Sequence, residues 1–261
     1  MNKIGKLLVV ILLLLFAFFS FPSDAAVKKK AKKTVRTVEV QTKDELILFG
    51  TLTLPDNASV KNKVPLVILL HSLGNDKSVY DKLVVDLKEQ DIASLAMDLR
   101  GHHQSTTRLS GKKTYWQSYS NVVFQKYPAD IVEILDFIKE HYVAIDTTRV
   151  GIVGADISAN TAILAAADSK YNVKTMVLFS PTLDFKGLKT PTAMVKYGQK
   201  PVTFVVTELD TYHYKNAREL EKYAQGEVNF ISVKAGGTGD SILKLNPDLN
   251  KTFAEWFKKH L

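Results

Sequence analysis

The sequence predicts an α/β fold, a mostly parallel, doubly wound sheet with helices on both faces. Three observations predict it. The run VPLVILL, Val64 to Leu70, is continuously apolar and rich in branched side chains, which suits a strand buried on both faces. Further short apolar runs alternate with helical stretches down the chain, the order that winds a parallel sheet. A chain of 261 residues with 46% hydrophobic content can also bury one sizeable core, so a single larger domain is expected.

The elements follow in order. TVRTVEVQT and ELILFGTLTLP alternate apolar with polar residues and read as two successive strands, joined by a turn around Lys43 and Asp44 and half-exposed at a sheet edge. After Val64 to Leu70 come a helix near Ser78 to Glu89 and a strand at IASLAMD. A polar loop then leads to a helix from Pro128 to His141, with the proline suited to its first turn. The strand RVGIV, the helix ISANTAILAAAD and the strands KTMVLFS and PVTFVVT come next. A helix near Lys215 to Ala224, the strand VNFISV and a helix near Asp248 to His260 complete the chain. The interval from Ser180 to Pro201 is too short for a large lid, so an open pocket is expected.

The first 25 residues read differently. Lys3 and Lys6 precede an uninterrupted apolar run from Leu7 to Phe19, and Ser23 and Ala25 fit a small-x-small cleavage site. Residues 1–25 are therefore read as a secretory signal peptide, which implies a periplasmic or extracellular protein; a retained membrane anchor is the alternative. A basic linker is expected over residues 26–36, with Lys28, Lys29, Lys30, Lys32, Lys33 and Arg36. It serves either as a solvated spacer or as an attachment, through Lys28 to Lys33, to an anionic membrane or cell-wall surface. Much of the net charge of +8 lies there, so the body is not strongly basic. With no basic stripe interleaved with aromatics and no zinc-ligand spacing, nucleic acid is not an expected partner. The chain has no cysteine, which excludes disulfides.

Four local signatures carry chemistry. LLHSLGND follows one strand and MDLRGHHQS the next, GIVGADISAN spans a strand-to-helix turn, and VVTELD precedes VKAGGTGDSIL near the end. In this order they resemble the α/β-hydrolase superfamily, its compact secreted esterase-like and dienelactone-hydrolase-like members, over about residues 37 to 261. The resemblance implies a carboxylic-ester hydrolase without a cofactor. It implies a nucleophile on the sharp turn, an acid, and a histidine, in that chain order. The nucleophile falls on Asp156, the acid on Asp210 and the histidine on Thr238. Ser72, Leu73 and Ile157 fall where an oxyanion pocket is built, and His71, His103 and His213 lie on loops expected to open at the same carboxyl end of the sheet.

Two of those positions are changed. An aspartate nucleophile works in haloalkane dehalogenases and epoxide hydrolases of this superfamily, which attack carbon and form an ester intermediate. Those enzymes still need the histidine to drive water onto the ester. Thr238 leaves no evident base, so the sequence points to a degenerate triad, a pseudoenzyme whose pocket binds an ester-like or hydrophobic small molecule. An active hydrolase with Asp156 as nucleophile and His213 or His103 as base is the alternative, and a non-catalytic cell-envelope protein another. Ser158 and Ser241 are lesser candidate nucleophiles, and Asp156, Asp210 and Asp240 a lesser candidate cation site. The aromatics Tyr115, Trp116, Tyr119, Phe124 and Tyr127 either line a pocket or pack a long loop.

Overall fold

The structure, a computed structural model, describes residues 34–168 and 170–261. The signal-peptide reading of residues 1–25 and the lysines of the basic segment lie outside the described residues. No helix among the described residues is long and apolar enough to cross a membrane.

Strands β1 (Val35–Gln41) and β2 (Ile47–Thr53) form an antiparallel pair, the expected sheet edge. Val35 and Arg36 belong to β1, so the first strand begins inside the segment read as linker: alternation of exposed and buried side chains already starts there. The remaining main strands are β3 (Val64–Leu70), β4 (Ala93–Met97), β5 (Ile145–Ala155), β6 (Val173–Phe179), β9 (Val202–Thr207) and β10 (Val228–Val233). They complete an eight-stranded sheet of order β1-β2-β4-β3-β5-β6-β9-β10, parallel from β4 to β10. The small hairpin β7 (Asp184–Phe185) and β8 (Leu188–Lys189), with α5 (Pro191–Tyr197), fills the Ser180 to Pro201 interval without forming a lid.

Helices lie on both faces, and the strand side chains divide between them. On one face, Leu66, Ile68 and Leu70 join a core with α3 (Tyr127–His141), α4 (Ile157–Asp168), α5 and α6 (Thr211–Glu221). On the other, Val67 and Leu69 join α1 (Asp81–Glu89), α7 (Ile242–Leu245) and α8 (Leu249–His260). Each fully buried Leu, Ile or Phe in these cores contributes about 1.5–3 kcal/mol. The short helix α2 (Asn121–Phe124) lies in the aromatic loop. That loop packs on the body, as rings meeting edge to face run from Tyr119 through Phe124 to buried Tyr127.

One boundary bears on function. The helix expected from Lys215 starts at Thr211, with Asp210 as its N-cap. His213 is therefore in a first helical turn, not on a loop.

Candidate active site

The site forms at the carboxyl ends of the central strands, where β5 turns into α4. Asp156 stands at that turn with φ of +56°, in the left-handed region. Its N–H donates to Phe179 O at 2.9 Å, tying the turn to the end of β6. Gly154 lets the turn close, since a Cβ there would sit 2.3 Å from Ser158 O. Ser158 is fully buried and committed: its Oγ accepts from the Ala155 N–H at 2.7 Å and donates to Leu70 O at 2.7 Å. It staples the elbow to β3 and is not a displaced nucleophile. Ser241 is likewise engaged, with Gly236 O at 2.9 Å and Thr238 O at 2.5 Å.

The Asp156 carboxyl has its pKa raised, mainly by burial. His213, near enough to act on it electrostatically, and the amides of Ile157 and Leu73 partly offset this, while the neighbouring Asp240 charge adds to it. The two amides that the sequence reading assigned to an oxyanion pocket are thus among the groups that favour its charged form.

Leu73 owes its position to a loop whose amides are shared among different acceptors. Ser72 N–H donates to Asp240 Oδ2 at 2.6 Å, Gly74 N–H to His102 Nε2 at 3.1 Å, and Asn75 N–H to Ser72 O at 3.2 Å. Between the first two, the Leu73 N–H meets Asp156.

The acid and its histidine come from one helix start. Asp210 Oδ1 accepts the His213 N–H at 3.2 Å as an N-cap, and Oδ2 lies 2.7 Å from His213 Nδ1. Thr238, at the position the resemblance reserves for a histidine, donates its hydroxyl to the same Oδ2. Burial pushes the Asp210 pKa up, but the Thr238 hydroxyl and then the His213 amide and imidazole outweigh it, so the net shift is downward. His213 Nε2 is buried and has no hydrogen-bond partner.

The other histidines do not join this group. His71 donates from Nδ1 to Ser72 O at 2.7 Å and accepts at Nε2 from the Leu99 N–H at 3.0 Å. Burial and the adjacent His102 push it down to about 4, so it is a neutral loop brace. His103 was a candidate base, but its backbone is left-handed at φ +38° and its Nδ1 is 3.0 Å from Asp98 Oδ2. The three aspartates considered for a cation have separate partners: Asp240 bonds Ser72 and Asn75, and Asp210 bonds Thr238 and His213. Trp116 stacks on His102 with ring centroids 5.4 Å apart, beside the Gly74 end of the oxyanion loop.

Sheet order, elbow and clustered acid and histidine together define an α/β hydrolase. The family model for serine aminopeptidase, S33, matches residues 61–253, and the chain belongs to that family. The dienelactone hydrolase from Anabaena variabilis is 16% identical, with TM-score 0.65 over 87% of this chain and 99% of that one. A cold-adapted esterase from an Arctic intertidal metagenomic library is 17% identical, with TM-score 0.64 over 88% and 96%. The esterase from Exiguobacterium antarcticum is 10% identical, with TM-score 0.62 over 85% and 100%. At these identities the likeness is one of fold. No curated protein matched.

Proposed function

We propose that this chain is an exported α/β hydrolase in which Asp156 attacks a saturated carbon bearing a leaving group, His213 serves as base and Asp210 orients it. The observation that carries this reading is the His213 ring. Its Nδ1 is held by Asp210 at 2.7 Å, and its Nε2 is enclosed, unpartnered and in the electrostatic field of Asp156. This supports His213 as a base in place of the histidine missing at Thr238.

The steps balance as follows. An Asp156 oxygen forms a bond to the substrate carbon while the leaving group departs with its electron pair, giving an ester on Asp156. The ester carbonyl stays on the Leu73 and Ile157 amides. His213 Nε2 takes a proton from water, and the hydroxide adds to Asp156 Cγ. The two amides hold the oxyanion, which collapses to expel the alkoxide. His213 returns its proton to that alkoxide, and Asp156 gives its remaining proton to solvent.

An ester substrate fits less well, because its carbonyl oxygen needs the two amides that Asp156 already occupies. That same occupancy favours a second reading, a ligand-binding protein without turnover. In both readings the ligand is apolar, since Leu209 and Tyr212, 80% and 56% exposed, flank the Asp210–His213 pair. Export rests on the sequence of residues 1–25, and attachment to an anionic surface on Lys28 to Lys33.

Incubation with epoxides, alkyl halides and nitrophenyl esters in heavy-oxygen water tests the mechanism. The expected outcome is turnover of an epoxide or halide, heavy oxygen in the Asp156 carboxyl by peptide mass spectrometry, and loss of both in Asp156→Asn. Binding without turnover or label would instead favour the ligand-binding reading. Ester hydrolysis that survives Asp156→Asn would defeat the assignment of Asp156.

A further inference from the structure

Asp240 lies outside the relay, yet it spans two loops of the site. Oδ2 accepts the Ser72 N–H at 2.6 Å and Oδ1 accepts from Asn75 Nδ2 at 2.6 Å. In return the Asp240 N–H donates to Ser72 Oγ at 3.2 Å. Asp240 is almost fully buried, at 1% exposure, so these bonds are shielded from competing water. The neighbouring Gly239 presses on the same place: at φ +63°, a Cβ on it would lie 2.2 Å from Ser72 Oγ and 3.5 Å from Asp156 Cβ.

The bonded groups bracket Leu73, and Gly239, next to Asp240, sits between this loop and Asp156. Ser72 before it and Asn75 two residues beyond it are tied to one carboxylate, which fixes the direction of the amide between them. We propose that Asp240 is a positioning residue, fixing the Leu73 N–H in the loop beside the elbow of Asp156. The stretch after β10, which the resemblance assigns to a histidine, has here become the brace of the oxyanion loop. The loop carrying Asp240 has independent anchors: Thr207 Oγ1 donates to Gly237 O at 2.7 Å, and Gly239 N–H donates to Ser180 Oγ at 2.9 Å. Removing the carboxylate therefore cuts the tie without releasing the loop.

The ties of Asp240 to Ser72 and Asn75 are independent of that mechanism; their catalytic consequence rests on the proposed function. The test compares hydrogen exchange at the Leu73 and Ile157 amides, by NMR, in the full chain and in Asp240→Ala and Asn75→Ala. Ile157 belongs to the elbow and serves as the internal control. The expected result is a loss of Leu73 protection of about tenfold in Asp240→Ala, a smaller loss in Asn75→Ala, and no change at Ile157. Unchanged Leu73 protection, or equal losses at both amides, would overturn the proposal. Should Asp240→Ala not fold, Asn75→Ala decides by the same two amides. In a catalytic arm, Asp240→Ala slows release of the Asp156 ester, with the cost of losing an oxyanion donor outright, about 10²–10³-fold, as the upper bound, and leaves its formation unchanged. Absence of turnover in the natural chain would fail the proposed function, while the amide readout would still decide the role of Asp240.

Discussion

Two aspartate–histidine pairs stand at the carboxyl end of the sheet, and their difference shows what makes such a pair useful. Asp98 follows β4 and meets His103 Nδ1 at 3.0 Å; Asp210 follows β9 and meets His213 Nδ1 at 2.7 Å. Asp98 is also bonded by the Lys77 ammonium at 2.5 Å, and the His103 side chain is 55% exposed. Burial pushes the Asp98 pKa up, but the Lys77 bonds and the His103 bond more than offset it, and its pKa is lowered. Asp210 has no such cation, and His213 is only 13% exposed, with its second ring nitrogen enclosed and unpartnered. The first pair secures a loop. In the second, the far ring nitrogen is enclosed and unpartnered, and the proposed function gives it the role of base, so the enclosure of Nε2 distinguishes the two, not the Asp–His contact.

The sharpest way to break the comparison is to remove each imidazole. His213→Gln is expected to lower turnover by about 10²–10⁴-fold, the usual contribution of a general base. The Asp156 ester should accumulate, visible as a mass increase equal to the alkyl group. His103→Gln should change neither quantity. Equal losses from both would mean that exposure and enclosure do not separate the pairs.

Much of this was legible in the sequence. The sheet and its edge pair followed from the apolar run Val64 to Leu70 and the alternation from Thr34 onward. The elbow followed from Gly154 and the small residues around Asp156, and Asp210 from its place just after β9. The union of Asp210 with His213 was not, because TYHYKN has no apolar periodicity and the sequence places the helix start near Lys215. The readable signal was Asp-x-x-His, an N-cap aspartate with a histidine at the third helical position. His103 escaped for another reason: its left-handed backbone turns the ring to Asp98, and no motif announces that conformation. Asp240 escaped because its partners, Ser72 and Asn75, are 168 and 165 residues away in the chain.

A smaller effect separates the two carboxylates by stability. Asp98→Asn leaves the Lys77 ammonium, 14% exposed, without its counter-charge and with Gln104 Oε1 at 2.8 Å as its remaining acceptor, and is expected to cost about 3 kcal/mol, the range for breaking a buried ion pair. Asp210→Asn disturbs more exposed groups and should cost about 1 kcal/mol, while turnover falls much further because the ring loses its orienting acceptor. The pH dependence has a defined sign. The Asp98 pKa is depressed below 3.8, so its contribution is fully present above that pH and is lost as pH falls through the folded-state value. Urea unfolding of the natural chain and Asp98→Asn should therefore differ most at neutral pH and converge in strong acid. A difference that grows on acidification would contradict the pairing.

The smallest effect belongs to Thr238, and it asks whether the pair at Asp210 is complete. Thr238 supplies one hydroxyl bond to Asp210 Oδ2, the oxygen that also holds His213. Thr238→Val keeps the shape and removes that bond, at a cost of about 0.5–1.5 kcal/mol. Losing the donor raises the Asp210 pKa, so the acid limb of the activity profile moves to higher pH while turnover near neutrality falls only a few-fold. Thr238→His reverses the apparent loss from the family pattern, yet Oδ2 already has His213, so the new ring must compete with the existing one. If His213 is the working base, Thr238→His lowers turnover, and a further His213→Gln change restores part of it by ending the competition. A gain from Thr238→His alone would show that the base belongs on the loop after β10 and that His213 is a bystander.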